Sequence, residues 1–223
     1  MVGGHADDPE LSSGGLRLIN HQWLNGISGP MVDFDRPPKC LLELLTVELQ
    51  SGPQHSVLFI DTDNAWRSIV AEVLLDHWGG RRFRAFSAGT HPAGQLNQAC
   101  VFLLQQSGLA TSHLHSKNWR DFHQPGAPVM DFVFLLSDEV SSEAWPCWPG
   151  NPITAQWSLP DPQSAEGSAA ERMLACRDVY GMIERRVRIL ASLRLANHGR
   201  GDIQRSVCDI DRAEAERGTS RAA

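Results

Sequence analysis

Apolar and polar positions along the middle of the chain follow two alternating periods, and each change of period falls at turn residues. Val57–Ile60 is a short, purely apolar run, the pattern of a strand buried on both faces. It ends at the polar cluster Asp61-Thr62-Asp63-Asn64. Ile69, Val70, Val73, Leu74 and His77 then recur at helical spacing, which predicts a helix over Arg67–Trp78, stopped by Gly79-Gly80. Arg82–Ala88 alternates as a second strand and Gly89 ends it; Leu96–Gln106 is a second helix closed by Gly108. Met130–Leu136 reads as another buried strand, Ser137–Ala144 as a short helix stopped by Pro146 and Pro149, and Ile153–Leu159 as the last strand. Ala165–Leu195 is a long helix, with Met173, Cys176, Tyr180, Ile183, Val187 and Leu190 on one face.

Such strand–helix alternation predicts an α/β fold in three layers: a four-stranded parallel sheet, right-handed crossovers, and helices on both faces. Ligands of these sheets bind outside the carboxyl ends of the strands. The segments to watch are therefore Asp61–Ser68, Ala88–His91, Ser137–Glu139 and Leu159–Pro162.

The flanks have another character. Gly, Pro, Asp and Ser dominate Met1–Gly15 and Asn25–Pro38, so residues 1–54 are expected to form an N-terminal extension, partly disordered. Within it, Cys40–Leu49 is expected to be a short amphipathic helix, with Leu41, Leu44, Leu45 and Val47 able to dock on a body. Residues 55–196 make up the expected domain, and 197–223 a charged, frayed tail. No run of about 18 apolar residues offers a membrane span. The polar N-terminus lacks the apolar stretch of a secretory signal, which points to the cytoplasm.

Composition narrows the chemistry. The formal net charge is -6, an unfavourable balance for a nucleic-acid partner. Arg185, Arg186 and Arg188, with Glu184 among them, read as a solvated helix face. The five cysteines, Cys40, Cys100, Cys147, Cys176 and Cys208, are odd in number and form no C-x-x-C pair, so neither a disulfide framework nor a zinc site is implied. His113 and His115 fall in a polar stretch and read as loop residues. Trp145, Trp148 and Trp157 read as packing, with a partner-facing aromatic patch as the alternative. No metal site and no cofactor follows from any motif.

The first loop carries the most specific signal. A short strand, a tight turn and Arg-Ser opening a helix form an anion cradle: backbone N–H groups converge, the helix N-terminus adds partial positive charge, and Arg67 can fork two oxygens. The segment VLFIDTDNAWRSIVAEVLL resembles the first motif of the low-molecular-weight tyrosine phosphatase and arsenate reductase family, V-L-F-V-C-T-G-N-S-C-R-S-x-x-A-E. The resemblance continues in order and spacing. It takes in Ser87-Ala88-Gly89-Thr90, Pro92-Ala93-Gly94, His115-Ser116-Lys117, Ser137-Asp138-Glu139, Leu159-Pro160-Asp161-Pro162 and the long last helix. The arsenate reductase branch fits best, through Ala88-Gly89-Thr90, Trp148-Pro149-Gly150 and Ala165-Glu166-Gly167 after Asp161-Pro162. It implies the phosphotyrosine protein phosphatase I-like fold, an anion-binding loop over Thr62, Asp63, Asn64, Ala65, Trp66 and Arg67, and catalytic positions at Asp61, Arg67, Ser68 and Asp161, the last as general acid.

The departures decide the functional expectation. Where the resemblance implies the nucleophilic cysteine, this chain has Asp61; the loop glycine is Asp63 and the second loop cysteine Trp66. The positions implied for the relay cysteines of arsenate reduction hold Ser137 and Trp145, and Cys147 lies two residues beyond the latter. A thiolate is soft and nucleophilic. A carboxylate in its place fills the cradle and repels an incoming oxyanion, at a cost on the order of 4 kcal/mol for unit charges about 4 Å apart at an effective dielectric near 20. Asp63 adds charge, and a Cβ at a position expected to need positive φ. Trp66 is expected to fill space at the loop's edge.

Asp61 is thus either a built-in anion, held by backbone N–H groups and Arg67, or a turn residue with no role beyond folding. The leading expectation is a pseudoenzyme with a binding or regulatory role, whose small-oxyanion affinity is weakened and whose partner is a protein. The alternatives are a surviving phosphatase or arsenate reductase, and an Asp-nucleophile, Mg²⁺-dependent phosphatase read from Asp61-Thr62-Asp63. That last family needs a lysine after Ser137, and the lysines here, Lys39 and Lys117, both precede it.

Overall fold

The computed structural model describes residues 53–141 and 147–222. The expected N-terminal extension, with its Cys40–Leu49 helix, and Trp145 lie outside the described residues. Four strands, β1 (His55–Asp61), β2 (Phe83–Gly89), β3 (Phe132–Leu135) and β4 (Ile153–Gln156), form one all-parallel sheet in the order β2-β1-β3-β4. β1 lies centrally, with Val57 opposite Ala85 on one side and Phe132 on the other. Its residues Val57–Asp61 are fully buried, as the all-apolar run requires of a strand covered on both faces.

One face carries most of the helices. α1 (Arg67–Gly79), α2 (Gln98–Gln106) and α4 (Ala169–Ser192) bury Ile69, Leu74, Leu104, Ile183, Val187 and Leu190 against Val57, Phe59 and Phe134. The other face is thinner. It holds Leu58, Ile60, Val133 and Met130 under Phe122 and Trp119 of the 3-10 turn Trp119–His123, and under Val140 of the short helix α3 (Asp138–Ser141). Helices α2 and α4 both start at side-chain caps. Asn97 accepts from Ala99 N–H at 2.8 Å, and Ser168 forms a capping box with Glu171. Trp157 is wholly buried and packs on Phe134, with ring centroids 4.2 Å apart. His113 and His115 are exposed loop residues.

Two expectations are corrected here. The charged tail is not frayed: Arg200–Ala222 forms a helix, α5. Its Val207 and Ile210 are buried, and the Val207 carbonyl accepts from Trp157 Nε1 at 3.1 Å. Arg200 donates to the carbonyls of Asn151 and Pro152, and Gln204 to that of Thr154 at 2.7 Å. Nor is the arginine cluster on α4 simply solvated. Arg186, only 4% exposed, pairs with Asp211 at 2.9 Å, and Arg185 with Glu214 at 2.7 Å. Charges that read as a solvent face are those that bind α5. Among the described residues, no helix is long and apolar enough to cross a membrane.

Candidate active site

The C-terminal end of β1 runs straight into the loop. Asp61 is its last residue, and its carboxylate is completely buried. Oδ1 accepts from Asn64 N–H at 2.8 Å and from the Ser68 hydroxyl at 2.8 Å; Oδ2 accepts from Ser68 N–H at 3.1 Å. The residue at the cap position of α1, Trp66, offers no side-chain acceptor. Asp61 supplies one from seven residues before Ser68, so the first turn of α1 takes its cap from the end of the strand. Arg67 is nearly buried beside it, with Nε 4.0 Å from Asp61 Oδ2, while Nη1 donates to the Leu159 carbonyl at 3.1 Å. The guanidinium therefore spans the cradle and the loop after β4 and does not fork the carboxylate.

The rest of the loop is tied to β2 and to the chain before the 3-10 turn. Thr90 N–H donates to the Asp61 carbonyl, and His91 N–H to that of Thr62 at 2.7 Å. Asn64 holds the left-handed conformation, φ 47, where Asn is tolerated. Its Nδ2 donates to Ser68 Oγ at 2.8 Å and its Oδ1 accepts from Lys117 N–H at 2.6 Å. The position expected to need positive φ, Asp63, is not among the left-handed residues; Asn64 absorbs that strain. Gly89 is required for a different reason: a Cβ there would stand 2.9 Å from Asn64 N and from the Thr62 carbonyl. Below the loop, Glu72 of α1 pairs with Lys117 Nζ at 2.9 Å and accepts the Ser87 hydroxyl. Trp66 is not at the loop's edge but in the core, 1% exposed.

Ser137 and Glu139 meet the cradle at Thr62, whereas Asp161 is bonded within its own turn. Thr62 Oγ1 donates to Glu139 at 3.1 Å and lies 3.4 Å from Ser137 Oγ, bringing the end of β3 to the cradle. Asp161 caps the 3-10 turn Pro162–Ser164, its Oδ1 accepting from Gln163 N–H at 2.9 Å. Sequence reading missed Gln163 and Asn97 as site neighbours. Gln163 reaches Asp63 across 100 residues, for which no local signal exists. Asn97 falls inside the expected helix Leu96–Gln106 and is instead its cap, and nothing local says that its amide faces Gln163. Cys100 is buried, and burial, with the charge of Asp61 after it, pushes its thiol up to about 12. Among the described residues, no three His, Cys, Asp or Glu side chains gather as metal ligands.

Burial, then the charge of Asp63, pushes the Asp61 carboxyl from 3.8 up to about 6, against the opposing hydrogen bonds of Ser68 and the charge of Arg67. The folded state then holds a proton that the unfolded chain has released, so stability falls as pH rises through this window and levels off above it. At 1.36 kcal/mol per pKa unit the loss is about 3 kcal/mol. Chemical denaturation of the natural protein and of Asp61→Asn from pH 4 to 7 should show their difference in unfolding free energy drifting by that order, against the natural protein. A pH-independent difference would refute it.

A parallel sheet whose central strand delivers a buried acceptor into a turn of converging N–H groups, with an arginine opening the next helix, defines an α/β protein of the anion-cradle class. The chain belongs to the low molecular weight phosphotyrosine protein phosphatase family, whose model matches residues 56–200. It is 27% identical over 135 residues to an arsenate reductase of Shouchella clausii, covering 60% of this chain and 94% of that one. Among solved structures it resembles an arsenate reductase in the phosphate binding state, with TM-score 0.52, 21% identity, and coverage of 62% of this chain and 98% of that one. It also resembles the thioredoxin-dependent arsenate reductase of Corynebacterium glutamicum, with TM-score 0.48, 25% identity and 67% of each chain covered.

Proposed function

We propose that this phosphatase- and arsenate reductase-like domain is a catalytically inactive member of its family, in which Asp61 takes the place of the bound oxyanion and the scaffold serves binding or regulation. One observation carries the reading: a fully buried carboxylate holds Asn64 N–H, Ser68 N–H and the Ser68 hydroxyl, donors of the kind an oxyanion would need. The residue at the nucleophile's place is hard, anionic and already hydrogen-bonded on both oxygens, so it neither attacks phosphorus or arsenic nor admits a second anion at small cost. Asp161, the family's acid by motif, accepts from its own turn at Gln163 N–H. The surface around the loop, rather than its interior, is what remains for a protein partner.

The full chain should give background rates with p-nitrophenyl phosphate, and with arsenate under reducing conditions, with or without Mg²⁺. Metal-free turnover abolished by Asp61→Ala would overturn the reading. Turnover that needs Mg²⁺ and is lost in the same variant would replace it with an aspartyl-nucleophile phosphatase.

A further inference from the structure

We propose that Asp63 and Gln163 form a latch that holds the loop 159–164 against the cradle, making the mouth of the site a fixed wall instead of a moving flap. This deepens the reading above, since it gives the second substituted loop aspartate a task of its own. Asp63 Oδ1 accepts from Ala65 N–H at 3.2 Å within its own turn. Its Oδ2 reaches outward and accepts from Gln163 Nε2 at 2.7 Å. The same amide is held at its other end, where Gln163 Oε1 accepts from Asn97 Nδ2 at 2.8 Å. A carboxylate can only accept and an amide nitrogen can only donate, which sets the orientation of the Gln163 amide.

Asn97 is itself fixed. Its side chain caps α2, and its N–H donates to the Ala65 carbonyl at 3.1 Å. The latch therefore joins three segments: the cradle, the start of α2 and the loop after β4. A second fastening comes from inside, where Arg67 Nη1 donates to the Leu159 carbonyl. Within the held loop, Asp161 accepts Gln163 N–H through Oδ1, and its carbonyl accepts the Ser164 hydroxyl at 2.8 Å. The family motif quoted above has glycine where Asp63 stands, and glycine offers no side-chain acceptor for Gln163. With glycine at 63, Gln163 Nε2 would lose this acceptor.

The test is hydrogen–deuterium exchange of the full-length protein, read on peptides covering residues 159–166. Asp63→Ala and Gln163→Ala should each speed exchange there by about fivefold, the scale of one solvent-exposed hydrogen bond. The double variant should exchange more slowly than the product of the two single accelerations, because both remove the bond between Asp63 and Gln163. Gln163 is exposed, so its replacement leaves the cradle and core intact and keeps the test valid even if Asp63→Ala disturbs the loop. Unchanged exchange in Gln163→Ala, or accelerations that multiply in the double variant, would overturn the latch. No ligand or turnover enters the measurement, so its result is separate from whether Asp61 bars anions.

Discussion

Asp61→Ser is expected to turn a loop indifferent to phosphate into one that binds it. The substitution removes a buried negative charge and leaves Asn64 N–H, Ser68 N–H and the Ser68 hydroxyl without their acceptor, beside Arg67 and at the start of α1. Unsatisfied buried donors and a helix N-terminus favour an oxyanion. Asp61→Gly combined with Asp63→Gly should bind it more tightly, since it clears the second charge as well. Binding to the folded state alone stabilises by about 2.7 kcal/mol at a phosphate concentration 100 times Kd. For a domain of this size that is a rise in Tm of roughly 5–10 °C. The measurement is a thermal shift against phosphate concentration for the natural protein and the two variants. Should the natural protein respond as strongly as the double-glycine variant, Asp61 is only a turn residue beside a working anion site.

The second large effect lies in the core. Trp157→Ala is expected to cost about 3–5 kcal/mol, the range for emptying a buried aromatic site, and to lower Tm by roughly 10–15 °C. Trp157 is fully buried between Phe59 and Phe134, and its indole N–H is the bond to the Val207 carbonyl that ties α5 to the sheet. Trp157→Phe keeps most of the packing and loses that bond, so about 1–2 kcal/mol is expected. Urea denaturation of the three proteins checks both. Equal stability of Trp157→Phe and Trp157→Ala would mean that the hydrogen bond, not the ring, carries the residue.

The sheet and the cradle were legible because their causes are local. Val57–Ile60 can only be a strand buried on both faces, and Asp61–Ser68 must turn where the apolar run stops. What escaped notice depends on partners far along the chain. Arg186 looks solvent-facing until Asp211 is brought beside it. Asp63 looks like added repulsion until Gln163 meets it. Helix α5 is a case of composition outweighing period: Ile203, Val207 and Ile210 recur at helical spacing, but within a stretch otherwise dominated by charge. The seven-residue reach of Asp61, from its own strand to Ser68 in the first turn of α1, was readable as a cradle but not as a helix cap, because a cap supplied by the preceding strand leaves no mark at the usual position, here Trp66.

Helix α5 has a consequence for the free edge of the sheet. β4 is an outermost strand, and strands at a sheet's margin present unpaired backbone groups on which another chain can crystallise strand by strand. Ile153 N–H goes to the Asp131 carbonyl on the β3 side, so the carbonyl of the next residue, Thr154, faces outward. Gln204 occupies that carbonyl, and Arg200 those of Asn151 and Pro152 just before it. All of this helix but its first residue, Arg200, lies beyond the stretch 56–200 shared with the family. A chain trimmed to that shared stretch would retain the cradle and lose Gln204, leaving the outer margin of β4 open to strand addition.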